Sequence, residues 1–358
     1  MDVINSMFKK AKIKIGNRLI GDFEPVFIIA EAGVNHNGDK KLAKRLIDLA
    51  AQSGADAVKF QTFHAENVVT KDAEKATYQK STTASNESQF EMIKKLELPD
   101  TAFSELAAYA KKRGIIFLST PFDLESVDLL EQVGVPAYKI PSGEITNFSI
   151  IKKIARKKRP VILSTGMASL GEVEDAFSCL HENGCNNIVL LHCTSSYPAP
   201  LHSVNLSAMI AMRSAFHVPV GYSDHTEGIT IPIAAAAMGA CVIEKHFTLD
   251  KSLPGPDHKA SLNPDELKAM VQAVRDVEIA RGSGIKALHK DEVEIRKVAR
   301  RSIVASRDIQ AKEILTERDF AIKRPGTGIE PRHLSSLLQK RARMNIKKDQ
   351  LIHWHMIE

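Results

Sequence analysis

The sequence predicts an α/β chain: a (β/α)8 TIM barrel with an N-terminal β-hairpin, followed by a small C-terminal domain of short strands and turns. Three observations carry this. Short β-branched runs alternate with helical runs eight times over about 255 residues, the count and length of a barrel rather than of an open doubly wound sheet. Almost every one of those runs ends in a charged or hydroxyl residue, as if all were aimed at one rim. A Gly-Ser-Gly segment after Arg281 then ends the rhythm.

In chain order, the alternating KIKI and RLI flank Gly16-Asn17 and read as a hairpin over residues 11–22. Strands are predicted at 26–30, 56–60, 115–119, 137–140, 160–164, 187–192, 218–222 and 241–245. Helices are predicted between them. The first, 39–54, starts on Asp39 as N-cap and stops at Gly54. Others are expected at 101–114, 123–134, 150–158, 172–184, 204–216 and 231–239, and 263–282 closes the series. The expected division is a catalytic barrel over 1–280, a linker over 281–292 and a small domain over 293–358, in which 331–343 reads as helical.

With 358 residues, 44% hydrophobic and 26% charged, the chain has enough apolar content for a full core and is not a disordered protein. No apolar run approaches the ~18 residues of a membrane span, and the first 16 residues lack the apolar stretch of a signal peptide. Cys179, Cys185, Cys193 and Cys241 form no CxxC pair and read as buried free thiols of a reducing compartment, so a cytoplasmic location is expected. The net charge of +6 invites a nucleic-acid reading. It resides in the segment from Val293 onward, about +7, while the rest is near neutral. That segment has no nucleic-acid-binding motif and few aromatics, so no nucleic-acid partner and no membrane are expected.

The rim residues define the chemistry. Lys59, Lys139 and Lys245 supply positive charge, and Ser142, Ser164, Ser195 and Ser223 supply donors. Together they suit a dianionic phosphate plus a carboxylate. His225 and His246 end neighbouring strands, and two imidazoles with open oxygen positions suit a borderline divalent ion acting as a Lewis acid on a carbonyl. Glu31 and Glu144 read as inward carboxylates that either handle a water or proton, or pair with a rim lysine. Asp257, on a Pro-Gly-Pro turn, either holds sugar hydroxyls or closes an Asx-turn.

The motifs AEAGVNHNG (30–38), VKFQTF (58–63), YKIPSGE (138–144), LSTGM (163–167), CTSSYP (193–198), GYSDHT (221–226), EKHFT (244–248) and PGPDHKAS (254–261) resemble the bacterial sialic acid synthases, in order along nearly the whole chain. RRSIVA and KRPGTGI resemble that family's C-terminal antifreeze-like (SAF) domain. The resemblance implies condensation of phosphoenolpyruvate with an N-acylated mannose-type sugar, giving a nine-carbon 2-keto acid and phosphate by C–O cleavage. It implies a divalent ion on His225 and His246, Mn2+ first, with Mg2+ or Co2+ as alternatives. Lys139, Ser142, Ser164, Ser195 and Ser223 would bind phosphoenolpyruvate. Lys59, Gln61, Tyr197 and Asp257 would face its carboxylate or the sugar, and Glu31 and Glu144 would handle water and protons. Arg324 would reach the sugar's acyl group from the partner chain of a domain-swapped homodimer. The expected activity is N-acetylneuraminate synthesis from N-acetylmannosamine. The alternative is synthesis of N,N'-diacetyllegionaminate or another nonulosonate from a 2,4-diacetamido-2,4,6-trideoxyhexose, since CTSSYP and PDHKAS also occur in such relatives. Familiar sialic acid synthases carry asparagine in place of Ser195, which leaves the local phosphate geometry open. A Schiff-base aldolase using Lys139 or Lys59 is the competing enzyme class on the same barrel.

Overall fold

The computed structural model describes residues 12–76, 79–80, 83 and 87–358. Residue 11, the expected first residue of the hairpin, lies outside them. The chain divides into two compact units, Met1–Gly282 and Ser283–Glu358.

In the first unit, β1 (Ile13–Ile15) and β2 (Arg18–Ile20) pair antiparallel around Gly16-Asn17. Eight parallel strands follow: β3 (Phe27–Gly33), β4 (Ala57–Thr62), β5 (Ile116–Pro121), β6 (Tyr138–Ile140), β7 (Val161–Ser164), β8 (Ile188–Cys193), β9 (Val220–Asp224) and β10 (Val242–His246). They form one sheet in the order β5-β4-β3-β10-β9-β8-β7-β6, a nearly closed barrel. Each predicted strand is present, displaced by two residues or fewer at its start.

Alternation along the strands builds two cores. Phe27, Ile29, Ala57, Leu118, Ala137, Ile162, Val189, Leu191 and Val242 point inward and pack with Ile13, Ile15 and Ile20 of the hairpin, which plugs one end. The intervening residues, such as Ile28, Ala30, Val58 and Phe60, face the surrounding helices. Each of the larger side chains among these (Val, Leu, Ile, Phe) contributes about 1.5–3 kcal/mol by leaving water, so the inward parity is firmly set. Continued two residues further, the same parity turns Glu31, Lys59, Thr120, Lys139, Ser164, Cys193, Ser223 and Glu244 toward the barrel axis.

The helices are fixed by local chemistry. Asp39 caps Lys40–Gln52 by accepting the Lys41 N–H at 2.6 Å, and Gly54 takes the left-handed φ of +80° that ends the turn. Ser88/Glu91, Ser169/Glu172 and Asn263/Glu266 form capping boxes. The helices Ala65–Val68 and Gln89–Leu96, between β4 and β5, were not expected from the sequence. All four cysteines are free and buried. Among the described residues no helix is long and apolar enough to cross a membrane.

The second unit contains a helix at Val293–Ala299 and the antiparallel pair β11 (Ser302–Ala305) and β12 (Phe320–Lys323). Its small core includes Ile303, Ile309, Leu315, Leu337, Ala342, Ile346 and Ile352. The expected helix over 331–343 is instead a 3-10 turn at Pro331–Ser336. Beyond it Arg341 bridges Ile314 and Ala342 bridges Ile357. Extended pairing wins there while Leu337 and Ala342 bury themselves in this core.

Candidate active site

A cavity of about 840 Å³ opens at the C-terminal ends of the barrel strands. Its floor is a buried network of two lysines and two carboxylates. Lys59 Nζ lies 2.7 Å from Glu31 Oε2 and 3.7 Å from Glu244 Oε2, and donates to Thr120 Oγ1 at 2.9 Å. Lys139 Nζ donates to Ser164 Oγ at 2.6 Å and stands 3.8 Å from Glu244 Oε1, which also accepts from Ser223 Oγ at 3.1 Å.

The network sorts the four charges. Burial would raise Glu244, but Lys139 and Lys59 outweigh it and hold the carboxylate below its usual value. Burial lifts Glu31 to about 7, against the pull of Lys59, so Glu31 exchanges a proton near neutral pH. Burial would depress Lys59, but Glu244 and Glu31 more than compensate and raise it. Lys139 is lowered, chiefly by burial.

Beside the lysines is a pocket of hydroxyls around Gly166. A Cβ at Gly166 would collide with Ser195 Oγ and meet Cys193 Sγ at 2.7 Å and Ser142 Oγ at 2.9 Å, so only glycine fits this crowded point. The Gly166 N–H donates to Ser142 Oγ at 2.9 Å.

His225 and His246 lie on the adjacent wall with ring centroids 5.7 Å apart. His225 Nδ1–H donates to the Thr194 carbonyl at 2.7 Å. That leaves Nε2 as acceptor, 3.0 Å from the Tyr197 hydroxyl. His246 Nδ1 is buried with no hydrogen-bond partner. Burial lowers both rings, His246 well below the ordinary value with help from His225, so both are neutral at pH 7. Two neutral imidazoles, one with an orphaned nitrogen, are a donor set that fits a divalent ion. Outside the cavity, His64, Asp123 and Glu125 also bring potential ligand atoms within 4.8 Å of one another.

Asp257 lines a smaller apolar chamber that shares Gln61, Tyr197 and His246 with the main cavity. Its Oδ2 is 4.0 Å from His246 Nδ1, and burial raises its carboxyl to about 6.

The structure therefore gathers Glu31, Lys59, Gln61, Lys139, Ser142, Ser164, Ser195, Tyr197, Ser223, His225 and His246 around one cavity, with Asp257 adjoining. Two expectations differ. Glu144 does not line the cavity: it closes the 3-10 turn Ser142–Glu144 and accepts from Asn147 Nδ2 at 2.7 Å. Lys245 has outward parity, between the inward Glu244 and His246, and is buried against Asp224 Oδ2 at 2.5 Å. Arg324, expected to act from the small domain of a partner chain, lies in the second unit, where its Nε donates to the Ala299 carbonyl at 3.1 Å. Glu244 is the residue the sequence reading missed. Its signal was present, since it stands two residues before His246 on the same face of β10.

The sequence pattern of the NeuB family matches residues 46–286, and that of the SAF domain matches 300–358. The chain is 56% identical to the N,N'-diacetyllegionaminic acid synthase of Campylobacter jejuni, over 91% of this chain and 98% of that protein. It is 49% identical to the protein of the same name from Legionella pneumophila, over 96% and 99%. Among solved structures, the N-acetylneuraminic acid (sialic acid) synthetase of Leptospira borgpetersenii in complex with citrate superposes with a TM-score of 0.71 at 37% identity, covering 80% of this chain and 95% of that one.

Proposed function

The chain belongs to the NeuB family, a phosphoenolpyruvate-dependent condensing transferase of nonulosonic acid synthesis, and from that premise we propose that its acceptor is 2,4-diacetamido-2,4,6-trideoxymannose and its product N,N'-diacetyllegionaminate. The observation that carries this choice is the 56% identity over nearly full length to a protein of that name, against 37% for the sialic acid synthetase. It replaces N-acetylmannosamine as the first choice of acceptor.

In this reading Lys59, Lys139 and the hydroxyls of Ser142, Ser164, Ser195 and Ser223 hold the phosphate and carboxylate of phosphoenolpyruvate. Glu244 carries the charge that keeps the two ammonium groups side by side before substrate enters. The sugar stands on Gln61, Tyr197 and Asp257 with its aldehyde toward the histidines. His225 and His246 would hold the divalent ion, Mn2+ with Mg2+ or Co2+ as alternatives, and this ion supplies Lewis-acid polarisation of the aldehyde oxygen when bound. C3 of phosphoenolpyruvate attacks the aldehyde carbon, whose oxygen takes up a proton and becomes a hydroxyl; water adds at the electron-poor C2; and the new C2 hydroxyl collapses to the keto group, its proton leaving with phosphate as the C2–O bond breaks. Glu31, poised near pH 7, takes the proton from that water. Arg324 meets the sugar's acyl group across a domain-swapped homodimer, in the cytoplasm.

The test is phosphate release. Release that requires phosphoenolpyruvate, a divalent ion and an N-acylated acceptor together, stops in EDTA and leaves no borohydride-trapped adduct supports the reading. Covalent trapping with pyruvate on Lys139 or Lys59 would refute it in favour of a Schiff-base aldolase.

A further inference from the structure

The apolar chamber beside the main cavity has a size and lining that the reaction itself does not call for. It measures about 160 Å³, below the ~300–1,000 Å³ of a pocket for a whole small molecule. Its walls include Val34, Phe63, Val68, Met92, Ile93 and Leu96. Val34, Phe63 and Leu96 form a buried cluster of their own, with Val68, Ile93 and Phe122 packed against it. Phe63 and Phe122 meet edge to face at 6.4 Å, which stiffens one wall. The polar side chains among its lining are Gln61, Gln79, Tyr197 and His246, all shared with the main cavity, and Asp257 close to His246.

We infer that this chamber is a specificity subsite for a methyl-terminated substituent of the acceptor sugar. The inference rests on the acceptor reading above. With the aldehyde at the histidine wall and hydroxyls on Gln61 and Asp257, the remaining sugar atoms lie at the mouth shared by the two spaces. A methyl group that enters gains by leaving water. A hydroxyl that enters leaves its water partners for apolar walls and loses by it. The chamber thus favours a 6-deoxy carbon or the methyl of a 4-acetamido group and rejects a terminal hydroxymethyl. Met92, Ile93 and Leu96 stand on Gln89–Leu96, whose capping box secures the wall that carries them.

The experiment compares kcat/KM for four acceptors: N-acetylmannosamine, its 6-deoxy analogue, its 4-acetamido-4-deoxy analogue, and the sugar with both changes. In the wild type an acceptor with the 6-deoxy carbon or the 4-acetamido group is preferred over N-acetylmannosamine by about 10- to 200-fold, the range for one apolar contact in a fitted pocket. Ile93→Phe fills the chamber and lowers that preference at least tenfold through the acceptor KM, with the phosphoenolpyruvate KM unmoved. Ile93→Gln does the same by polarity should the larger ring unfold the protein, and Ile93→Leu retains the preference. Whichever single-change sugar is preferred identifies the methyl concerned. A preference that survives in folded Ile93→Phe and Ile93→Gln overturns the subsite while leaving the acceptor reading intact. A wild type that favours N-acetylmannosamine overturns both.

Discussion

Gly166→Ala is the sharpest perturbation of the proposed phosphoenolpyruvate pocket. Gly166 is not among the residues with positive φ, so the backbone itself accepts alanine and the whole effect is one of space. The new methyl would collide with Ser195 Oγ and lie 2.7 Å from Cys193 Sγ and 2.9 Å from Ser142 Oγ, all shorter than real carbon contacts. Cys193 is buried and leaves little room for retreat, so the two hydroxyls must swing away. Overpacking of this kind costs about 1–3 kcal/mol of stability, and in a unit of this size each kcal/mol lowers Tm by roughly 2–4 °C. The functional loss is larger in kind. A hydrogen bond to a charged group contributes about 1.5–3 kcal/mol, so displacing even one hydroxyl from the phosphate raises the phosphoenolpyruvate KM by about 10- to 150-fold. The assay is steady-state phosphate release at saturating acceptor and metal, with a thermal melt alongside. A folded variant with wild-type KM for phosphoenolpyruvate would refute the reasoning and move the phosphate elsewhere in the cavity.

Three further outcomes follow from the same geometry. His246→Ala should abolish divalent-ion binding, read directly by calorimetry with Mn2+ in the absence of substrate, and turnover should vanish with it; unchanged Mn2+ affinity would shift attention to His64, Asp123 and Glu125. Glu31, raised to about 7 from 4.5, keeps its proton in the folded chain after the unfolded chain has lost it, so its contribution to stability declines as pH rises from 4.5 through 7. Glu31→Gln should flatten that decline in melts taken across the window and remove an inflection near pH 7 from the rate profile; an unaltered profile would assign the proton transfer to another group. Lys245→Met leaves Asp224 buried without its cation, and loss of one partner of such a pair costs about 3–5 kcal/mol. Denaturant unfolding should show that loss while the KM values stay near wild type, whereas a changed KM with full stability would return Lys245 to the site.

The barrel was legible in the sequence because each strand is a short β-branched run and several helices announce their start with a cap, such as Asp39, Asp123, Ser169 or Asn263. The rim was legible for the same reason, since a residue at a strand end has only two directions to face. Choosing between them needs the parity of the whole strand. On β10 the inward set runs Val242, Glu244, His246, so Lys245 points the other way and finds Asp224. Glu144 was misplaced for a different reason. It follows β6 by four residues, and the 3-10 turn that begins at Ser142 carries it out of the cavity's lining. The apolar chamber was not legible, because Met92, Ile93 and Leu96 lie in an excursion between β4 and β5 that follows no strand–helix rhythm. They meet Val34 and Phe63 only through tertiary packing.

The most direct test of the proposed reaction is a competition. Equimolar N-acetylmannosamine and 2,4-diacetamido-2,4,6-trideoxymannose are offered with phosphoenolpyruvate and Mn2+, and the nine-carbon products are weighed by mass spectrometry against phosphate released. One phosphate is expected for each keto acid formed, with N,N'-diacetyllegionaminate dominant. Dominant N-acetylneuraminate would contradict the choice of acceptor, and phosphate release without a nine-carbon keto acid would contradict the condensation itself.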